Sequence, residues 1–248
     1  YPLRRQRQMC IRDSNSEILI DDGKIKLFVK KVASEKIETE VINGGKISNN
    51  KGVNIPQTFL KLSSLTKKDL KDLELCLDLC LDYVALSFVQ KADDIIKLRK
   101  LVGNQTAIMA KFEKPLAIQK MNEILKYSDA AMVARGDLGV EMPPEDVPII
   151  QKKVVQASRD HGKPVVVATQ MLDSMISSPS PTRAEASDVA TAVYDSADCL
   201  MLSAETAAGK YPIESVKIMD RIIRGVEGDS SYRESLNNKK VSLSLIHI

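Results

Sequence analysis

Residues 130–139, with the sequence AAMVARGDLG, join an unbroken apolar run directly to a charged segment. The run Ala130–Ala134 shows no alternation between apolar and polar positions. Such continuity predicts a strand that is buried on both faces, as the strands of parallel sheets are. Arg135 and Asp137 then follow at the carboxyl end of that strand. The segment therefore predicts an α/β protein whose polar residues lie where its strands end.

The same pattern recurs on both sides of this segment, because short apolar runs alternate with stretches of helical periodicity. The further predicted strands are Tyr83–Val89, Ala107–Lys111, Val165–Thr169 and Cys199–Ser203. The predicted helices lie near residues 66–80, 91–102, 115–127, 145–161, 185–195 and 212–227. Alternation of this kind forms parallel sheets through crossover connections. Five such strands fit either an open doubly wound sheet or part of a (β/α)8 barrel.

Polar side chains at five consecutive strand ends favour the barrel. These ends carry Ser87, Lys111 with Glu113, Arg135 with Asp137, Thr169 with Gln170, and Ser203 with Glu205. A (β/α)8 barrel builds its active site at the carboxyl ends of its strands. The predicted fold is therefore α/β, with a partial (β/α)8 TIM barrel.

Two carboxylates in this set have the chemistry of a divalent metal site. Glu113 and Asp137 are hard oxygen donors, and two such ligands leave positions open for water or substrate oxygens, as Mg²⁺ or Mn²⁺ sites do. Lys111 would direct its ammonium to the same place, where it can stabilise charge on a phosphoryl group or an enolate. Thr169 offers a hydroxyl for positioning or proton relay. The small residues around Gly136 predict a turn whose N–H groups face an anion.

Residues 17–50 predict a small β-rich unit ahead of the barrel. Apolar residues alternate with lysines after Asp21-Asp22-Gly23, and an Asp-Gly pair between such runs is a hairpin signal. Asn43-Gly44-Gly45 marks a second turn. The segment Lys51–Pro56 lacks strong periodicity, so we predict the domain boundary near it. Farther along, Thr182 and Glu185 have the spacing of a capping box that opens a helix.

Composition excludes several classes of protein. Apolar residues make up 44% and charged residues 28% of the 248 residues, which is typical of a globular protein. No apolar run reaches the length of a transmembrane helix. Trp is absent and aromatic residues total 4%, which argues against stacking platforms for single-stranded nucleic acid. Four cysteines in a chain of this size do not make a disulfide scaffold.

The two ends share a signature that predicts non-native tails at 1–14 and 243–248. The DNA sequence ATGTGTATAAGAGACAG encodes Met9–Asp13 and begins Ser14, and its reverse complement encodes Leu243–His247 and begins Ile248. One element facing inward from both ends resembles a translated sequencing adapter. Four arginines against Asp13 in the first tail account for the whole net charge of +3. We therefore expect the native gene to extend past both ends. The net charge of the chain does not indicate what kind of partner it binds.

Five blocks of sequence together resemble the pyruvate kinase family. MVARGDLGVE at 132–141 resembles that family's metal and substrate loop, and KPVVVATQMLDSM at 163–175 resembles its next strand and loop. PTRAEASDV at 181–189 and MLSAET at 201–206 match two further blocks. KGVNIP at 51–56 resembles the re-entry from a small lid domain into the barrel. The resemblance runs from about residue 17 to residue 228.

The resemblance implies a Mg²⁺-dependent transfer of a phosphoryl group from phosphoenolpyruvate to ADP, giving pyruvate and ATP, the last step of glycolysis. It implies that Glu113 and Asp137 hold Mg²⁺ (or Mn²⁺). Substrate contacts are implied for Lys111, Arg135, Gly136, Asp137 and Thr169. Catalytic roles are implied for Lys111, Thr169, Ser203 and Glu205.

The resemblance also implies an organisation for the chain. Residues 15–50 would be the remnant of a β lid domain, 51–228 a partial catalytic barrel, and 229–242 a linker toward a C-terminal domain. The first three barrel strands, most of the lid and the K⁺ ligands would lie outside this chain. Five of eight strands leave open edges, so we expect the isolated chain to be inactive. The parent protein is expected to be a cytoplasmic homotetramer with no nucleic-acid or membrane partner.

Two other hypotheses remain open from the sequence. One is a Mg²⁺-dependent lyase or aldolase barrel that acts on pyruvate or phosphoenolpyruvate, because such sites also pair Glu and Asp around an enolate. The β-rich unit at 17–50 argues against it, since aldol chemistry does not need a lid that closes on a nucleotide. The other is a degenerate, non-catalytic paralogue, against which the intact Lys111, Glu113, Asp137 and Thr169 argue.

Overall fold

The computed structural model describes residues 16–33, 36–49, 51–56 and 64–238. The predicted tails at 1–14 and 243–248 lie outside the described residues, as do residues 239–242 of the predicted linker. The described chain forms one antiparallel sheet of four strands and one parallel sheet of five strands. The parallel sheet and its intervening helices confirm the predicted α/β class.

The antiparallel sheet has the spatial order β3-β2-β1-β4. Its strands are β1 (Glu17–Ile20), β2 (Ile25–Val32), β3 (Ile37–Asn43) and β4 (Val53–Asn54). The predicted hairpin is present between β1 and β2, where Asp21, Asp22 and Gly23 have φ angles of 54°, 56° and 83°. Because β4 pairs with β1, this sheet extends past residue 50, where the predicted β unit ends. Buried Ile18, Val29 and Ile55 form a small core of its own.

All five predicted strands of the parallel sheet are present, in the order β5-β6-β7-β8-β9. They are β5 (Tyr83–Leu86), β6 (Ala107–Phe112), β7 (Ala130–Ala134), β8 (Val165–Ala168) and β9 (Cys199–Met201). Neighbours in space are also neighbours in sequence and every pair is parallel, so all carboxyl ends meet at one edge. All five residues of β7 are buried, as the unbroken apolar run predicted.

Helices fill the connections and cover the parallel sheet. They are α1 (Lys67–Asp78), α2 (Ala92–Val102), α3 (Pro115–Gln119), α4 (Met121–Tyr127), α5 (Arg135–Glu141), α6 (Val147–Asp160), α7 (Arg183–Tyr194), α8 (Ala204–Ala207), α9 (Pro212–Gly228) and α10 (Ser230–Asn238). Within the described ranges, no helix combines the length and apolarity that a membrane span requires.

Three helical segments differ from the sequence prediction. The region 115–127 is divided into α3 and α4, and α10 lies inside the segment predicted as a linker. The turn predicted around Gly136 is instead the helix α5. Two glycines lower helix propensity there, but burial of Arg135 and Leu138 stabilises the helix through tertiary packing.

The predicted capping box at the start of α7 is present. The N–H of Glu185 donates to Thr182 Oγ1 at 3.2 Å, and the N–H of Thr182 donates to Glu185 Oε2 at 2.7 Å. The Ser174 N–H also donates to Glu185 Oε1 at 2.7 Å. One carboxylate therefore caps the helix and fixes the loop that follows β8.

Candidate active site

The carboxyl edge of the parallel sheet gathers most of the predicted site residues. Lys111 lies near the end of β6, and its ammonium is 2.6 Å from Glu113 Oε1. The same ammonium donates a hydrogen bond to Ser87 Oγ at 3.0 Å, across from the end of β5. The side chain of Lys111 is 22% exposed and that of Glu113 is 1% exposed. A cation that reaches solvent therefore lies against a carboxylate that does not.

Glu113 is held in an environment that disfavours its charge. Burial raises the pKa of this carboxyl, although the ammonium of Lys111 and the N–H of Phe88 offset part of the rise. The Phe88 N–H donates to Oε2 at 2.7 Å. Oε1 faces the Lys111 ammonium at 2.6 Å, and this ion pair is the contact that satisfies it. The site therefore holds this buried carboxylate in direct contact with positive charge.

Asp137 completes a pair of acidic groups at this edge. It lies in the first turn of α5, directly after β7, and its charge further raises the pKa of Glu113. Two like charges that interact in a partly buried site are stabilised by a divalent cation. No group of three or more His, Cys, Asp or Glu side chains with metal-site geometry occurs among the described residues. Two carboxylates with open remaining positions fit Mg²⁺ or Mn²⁺, which retain water or substrate oxygens.

Thr169 and Gly136 form a second contact at the same edge. The Gly136 N–H donates to Thr169 Oγ1 at 2.8 Å, and that hydroxyl donates to the Ala168 carbonyl at 2.6 Å. Thr169 and Gln170 have φ angles of 68° and 53°, in the left-handed region that non-glycine residues seldom adopt. Consecutive residues in this region store strain, which clusters at functional sites. The hydroxyl of Thr169 is thus fixed against the start of α5.

Arg135 supports this strained loop. Its guanidinium donates to the carbonyl of Thr169 at 2.9 and 3.1 Å and to that of Gln170 at 2.8 Å. It also pairs with Asp188 of α7 at 2.5 Å, and its side chain is 9% exposed. These contacts are with the protein itself, so they explain how the loop is positioned. The contact with substrate stays a prediction.

Ser203 and Glu205 form a separate pair at the end of β9. The N–H of Ser203 donates to Glu205 Oε2 at 2.8 Å, and the N–H of Leu172 donates to Oε1 at 3.1 Å. The carboxylate of Glu205 is buried and joins the loops that follow β8 and β9. Its predicted part in catalysis stays a prediction, as does that of Ser203.

Sequence reasoning missed a buried cluster beside the site. Lys114 and Glu141 form an ion pair, and Asn54 of β4 donates to the same carboxylate. Glu141 follows Asp137 by four residues, a spacing that places both on one face of a helix. Because a turn is predicted around Gly136 from the sequence, this helical spacing of Asp137 and Glu141 was not used.

Comparisons with known proteins agree with this geometry. A family model described as "Pyruvate kinase, barrel domain" matches residues 9–216. A protein of Agrobacterium vitis named "Pyruvate kinase" is 57% identical over 220 residues, which are 89% of this chain and 46% of that protein. A protein of the same name from Methylorubrum extorquens is 54% identical over 215 residues, 87% of this chain and 45% of that protein. The chain spans about half the length of these curated relatives.

Proposed function

Because this chain belongs to the pyruvate kinase family, we propose that the whole protein transfers a phosphoryl group from phosphoenolpyruvate to ADP, giving pyruvate and ATP. The observation that carries this proposal is the buried Glu113, whose Oε1 forms an ion pair with Lys111 and whose carboxyl lies within the field of Asp137. A transferring phosphoryl group and an enolate are both anionic, and this site offers one cation and two metal-binding carboxylates to them.

The proposed architecture follows from the family and the strand order. The five parallel strands would be the last five of a (β/α)8 TIM barrel, and the antiparallel sheet would belong to its lid domain. Consecutive parallel strands with helices between them support the first assignment. The pairing of β4 with β1 supports the second, because the chain leaves the small sheet directly at the proposed re-entry segment. We keep residues 229–242 as a linker toward a further domain, with α10 as its helical part.

Each residue at the carboxyl edge has a proposed part in the reaction. Glu113 and Asp137 would hold Mg²⁺ (or Mn²⁺), which supplies charge neutralisation on phosphoryl and enolate oxygens. Lys111 stabilises the phosphoryl group as it leaves and then the enolate, because its ammonium is held at this edge by Ser87. Thr169 and the backbone of Gly136 contact the substrate, while Arg135 maintains the loop and borders the substrate.

The final step is protonation of the enolate carbon, which converts enolpyruvate into pyruvate. Ser203 and Glu205 are proposed to belong to the polar network that delivers this proton. The carboxylate of Glu205 is anchored by two N–H groups, so it fixes the backbone that presents Ser203. In this arrangement the hydroxyl of Ser203 is the group of the pair that is proposed to pass on the proton.

The remaining proposals concern the whole protein. The family generally implies K⁺ as well as Mg²⁺, and we assign no K⁺ ligand in this chain. We propose a cytoplasmic homotetramer whose partners are phosphoenolpyruvate and ADP or ATP, without nucleic-acid or membrane partners. We expect no turnover from the 248 residues alone, because β5 and β9 are edge strands of the described parallel sheet.

The test is ADP-dependent release of pyruvate by the whole protein, together with binding of oxalate, an enolate mimic, in the presence of Mg²⁺. Asp137→Asn should abolish both turnover and oxalate binding, because it removes one metal-binding carboxylate. Asp129→Asn, at the opposite edge of the sheet, is the matched control and should retain both. Equal oxalate binding by the wild type and Asp137→Asn would reject the metal assignment. Pyruvate released without ADP would point to a lyase instead.

A further inference from the structure

A buried ion pair joins the small sheet to the parallel sheet. The ammonium of Lys114 lies 2.5 Å from Glu141 Oε1, and the two side chains are 14% and 2% exposed. Asn54 Nδ2 donates to the same oxygen at 2.7 Å. Asn54 belongs to β4, Lys114 follows β6, and Glu141 is the last residue of α5. Oε1 of Glu141 therefore joins strand β4, the segment after β6 and the end of helix α5.

The same lysine leads back to the metal-binding carboxylate. Lys114 follows Glu113 in sequence, and its ammonium lies 5.4 Å from the centre of the Phe88 ring, within the range of a cation–π interaction. The N–H of Phe88 is the group that donates to Glu113 Oε2. Phe88 has a φ of 55°, which a bulky residue adopts only where its surroundings enforce it. In the proposal below, the contact with Lys114 is one of the surroundings that hold Phe88 in this conformation.

Stability alone does not account for the pair. A buried ion pair contributes little net stability compared with apolar residues of similar volume, because both charges lose their hydration. Loss of one partner, in contrast, leaves an uncompensated charge that draws in water or moves. Glu141 would then retain only the amide of Asn54 among the contacts described above. The pair is therefore suited to fixing geometry at the junction between the two sheets.

We propose that Lys114 is a positioning residue that, with Glu141, couples the seating of strand β4 to the orientation of Glu113. The coupling runs from Asn54 through the ion pair to Phe88, and from the Phe88 N–H to the carboxylate. It rests on the proposed function only in taking Glu113 as a metal ligand. In the proposed lid, attachment of the lid strand and assembly of the metal site would occur together.

The experiment compares Lys114→Met with Asn54→Ala in the whole protein, without phosphoenolpyruvate or ADP. Two quantities are measured: the affinity for Mn²⁺ alone, and amide hydrogen exchange in residues 51–56 and 87–90. Lys114→Met should weaken Mn²⁺ binding about tenfold or more, the usual effect of removing a group that orients a metal ligand. It should also speed exchange in both segments. Asn54→Ala should speed exchange mainly at 51–56 and weaken Mn²⁺ binding less.

Two further variants separate positioning from simple loss of stability. Lys114→Arg keeps the charge and should restore most of the Mn²⁺ affinity. Asp129→Asn removes a carboxylate at the amino edge, so it should lower thermal stability without changing Mn²⁺ affinity or exchange at 51–56. If Lys114→Met lowers thermal stability but changes neither readout, the pair is only structural and the proposal is wrong.

The same measurements distinguish this proposal from the proposed function. Mn²⁺ binding and hydrogen exchange do not depend on turnover, so the coupling can be observed even if the protein releases no pyruvate from phosphoenolpyruvate. A wild-type protein that transfers the phosphoryl group while Lys114→Met binds Mn²⁺ normally would overturn the coupling and leave the function intact. A wild-type protein that binds no Mn²⁺ would overturn the link to Glu113.

Discussion

Carboxylates at the two edges of the parallel sheet are held in opposite ways. At the amino edge, Asp129 accepts the Ile108 N–H at 2.7 Å and pairs with Arg99, while Asp198 accepts the Val165 N–H at 2.8 Å. Burial acts to raise the pKa of Asp129, but the Ile108 N–H and the Arg99 guanidinium act the other way, and the pKa is lowered overall. At the carboxyl edge, burial raises the pKa of Glu113, and the ion pair of Oε1 with Lys111 offsets only part of that rise.

In the proposed mechanism, this difference separates carboxylates that serve the fold from those that serve chemistry. Asp129 and Asp198 each precede a strand and tie it to the strand beside it, so these hydrogen bonds stabilise the sheet. Burial raises the pKa of Glu113, so the folded state disfavours its ionised form, and the proposed metal ion would offset that cost. This division matches (β/α)8 barrels, in which the amino edge contributes stability and the carboxyl edge contributes activity.

Positively charged side chains at the amino edge also serve the fold. A groove of about 640 Å³ there is lined in part by Arg99, Lys100 and Lys126. All three lie in the last turns of α2 and α4, where cations offset the negative end of the helix dipole. Arg99 also donates to the carbonyls of Gly103 and Thr106. These cations therefore have structural roles, and their number alone does not indicate an anion site.

The largest expected effect is that of Glu113→Gln on metal binding in the whole protein. Loss of a metal-binding carboxylate should weaken Mn²⁺ affinity by more than about 100-fold, beyond the usual effect of changing a supporting group. Thermal stability should not fall, because the raised pKa means that the folded state disfavours the ionised carboxyl. Direct Mn²⁺ binding and thermal unfolding check both parts. A clear drop in Tm would show that Glu113 stabilises the fold, and the contrast between the edges would fail.

Asp129→Asn should lower the stability of the protein and leave its Mn²⁺ affinity unchanged, which is the opposite of the result expected for Glu113→Gln. The amide removes the charge that Arg99 and the Ile108 N–H stabilise, so the free energy of unfolding should fall by about 1 kcal/mol. Thermal and urea unfolding of the whole protein measure this decrease. Mn²⁺ affinity should stay within about twofold of wild type, since no metal-binding group is involved. Reduced Mn²⁺ binding with unchanged stability would reverse the assignment of the two edges.

Much of this contrast was predictable from sequence, and the remainder depends on tertiary contacts. Apolar runs that end in Lys111, Glu113 and Asp137 carry a local pattern, so the five strands and the acidic pair were found. The helix α5 was missed because Gly136 and Gly139 lower local propensity, whereas packing decides its conformation. The junction of Asn54 with Glu141 joins residues 87 positions apart, and no local pattern encodes such a contact.

The pH dependence of stability gives a smaller test of the amino edge. The pKa of Asp129 is lowered from its ordinary value of 3.8, so its contribution is present above that value and is lost as the pH falls through the lower, folded-state pKa. The difference in unfolding free energy between wild type and Asp129→Asn should therefore be constant at neutral pH and should shrink progressively as the pH falls below 3.8. Urea unfolding at pH 7, 5, 3 and 2 measures it. A difference that persists unchanged at the lowest pH would mean that ionisation of Asp129 contributes nothing.

The smallest expected effect concerns geometry at the carboxyl edge. A Cβ added at Gly136 would lie 3.3 Å from Thr169 Oγ1, closer than an ordinary contact, so the hydroxyl must shift by a few tenths of an ångström. Gly139 lies in the same helix as Gly136 and is the matched control. A Cβ added there would meet Val147 Cγ2 at 3.8 Å, which is an ordinary contact. Both alanine variants should keep or slightly raise stability, by less than about 1 kcal/mol, since alanine favours helix.

Only Gly136→Ala should affect the reaction, because only this change displaces the hydroxyl that faces the substrate in the proposed mechanism. We expect its KM for phosphoenolpyruvate to rise about threefold, which is less than 1 kcal/mol of substrate binding, while Gly139→Ala keeps the wild-type KM. Steady-state kinetics of the two variants provides the measurement. Equal KM values would mean that the position of Thr169 tolerates this shift. A higher KM without loss of stability would place Gly136 with Glu113, among residues whose arrangement serves chemistry rather than the fold.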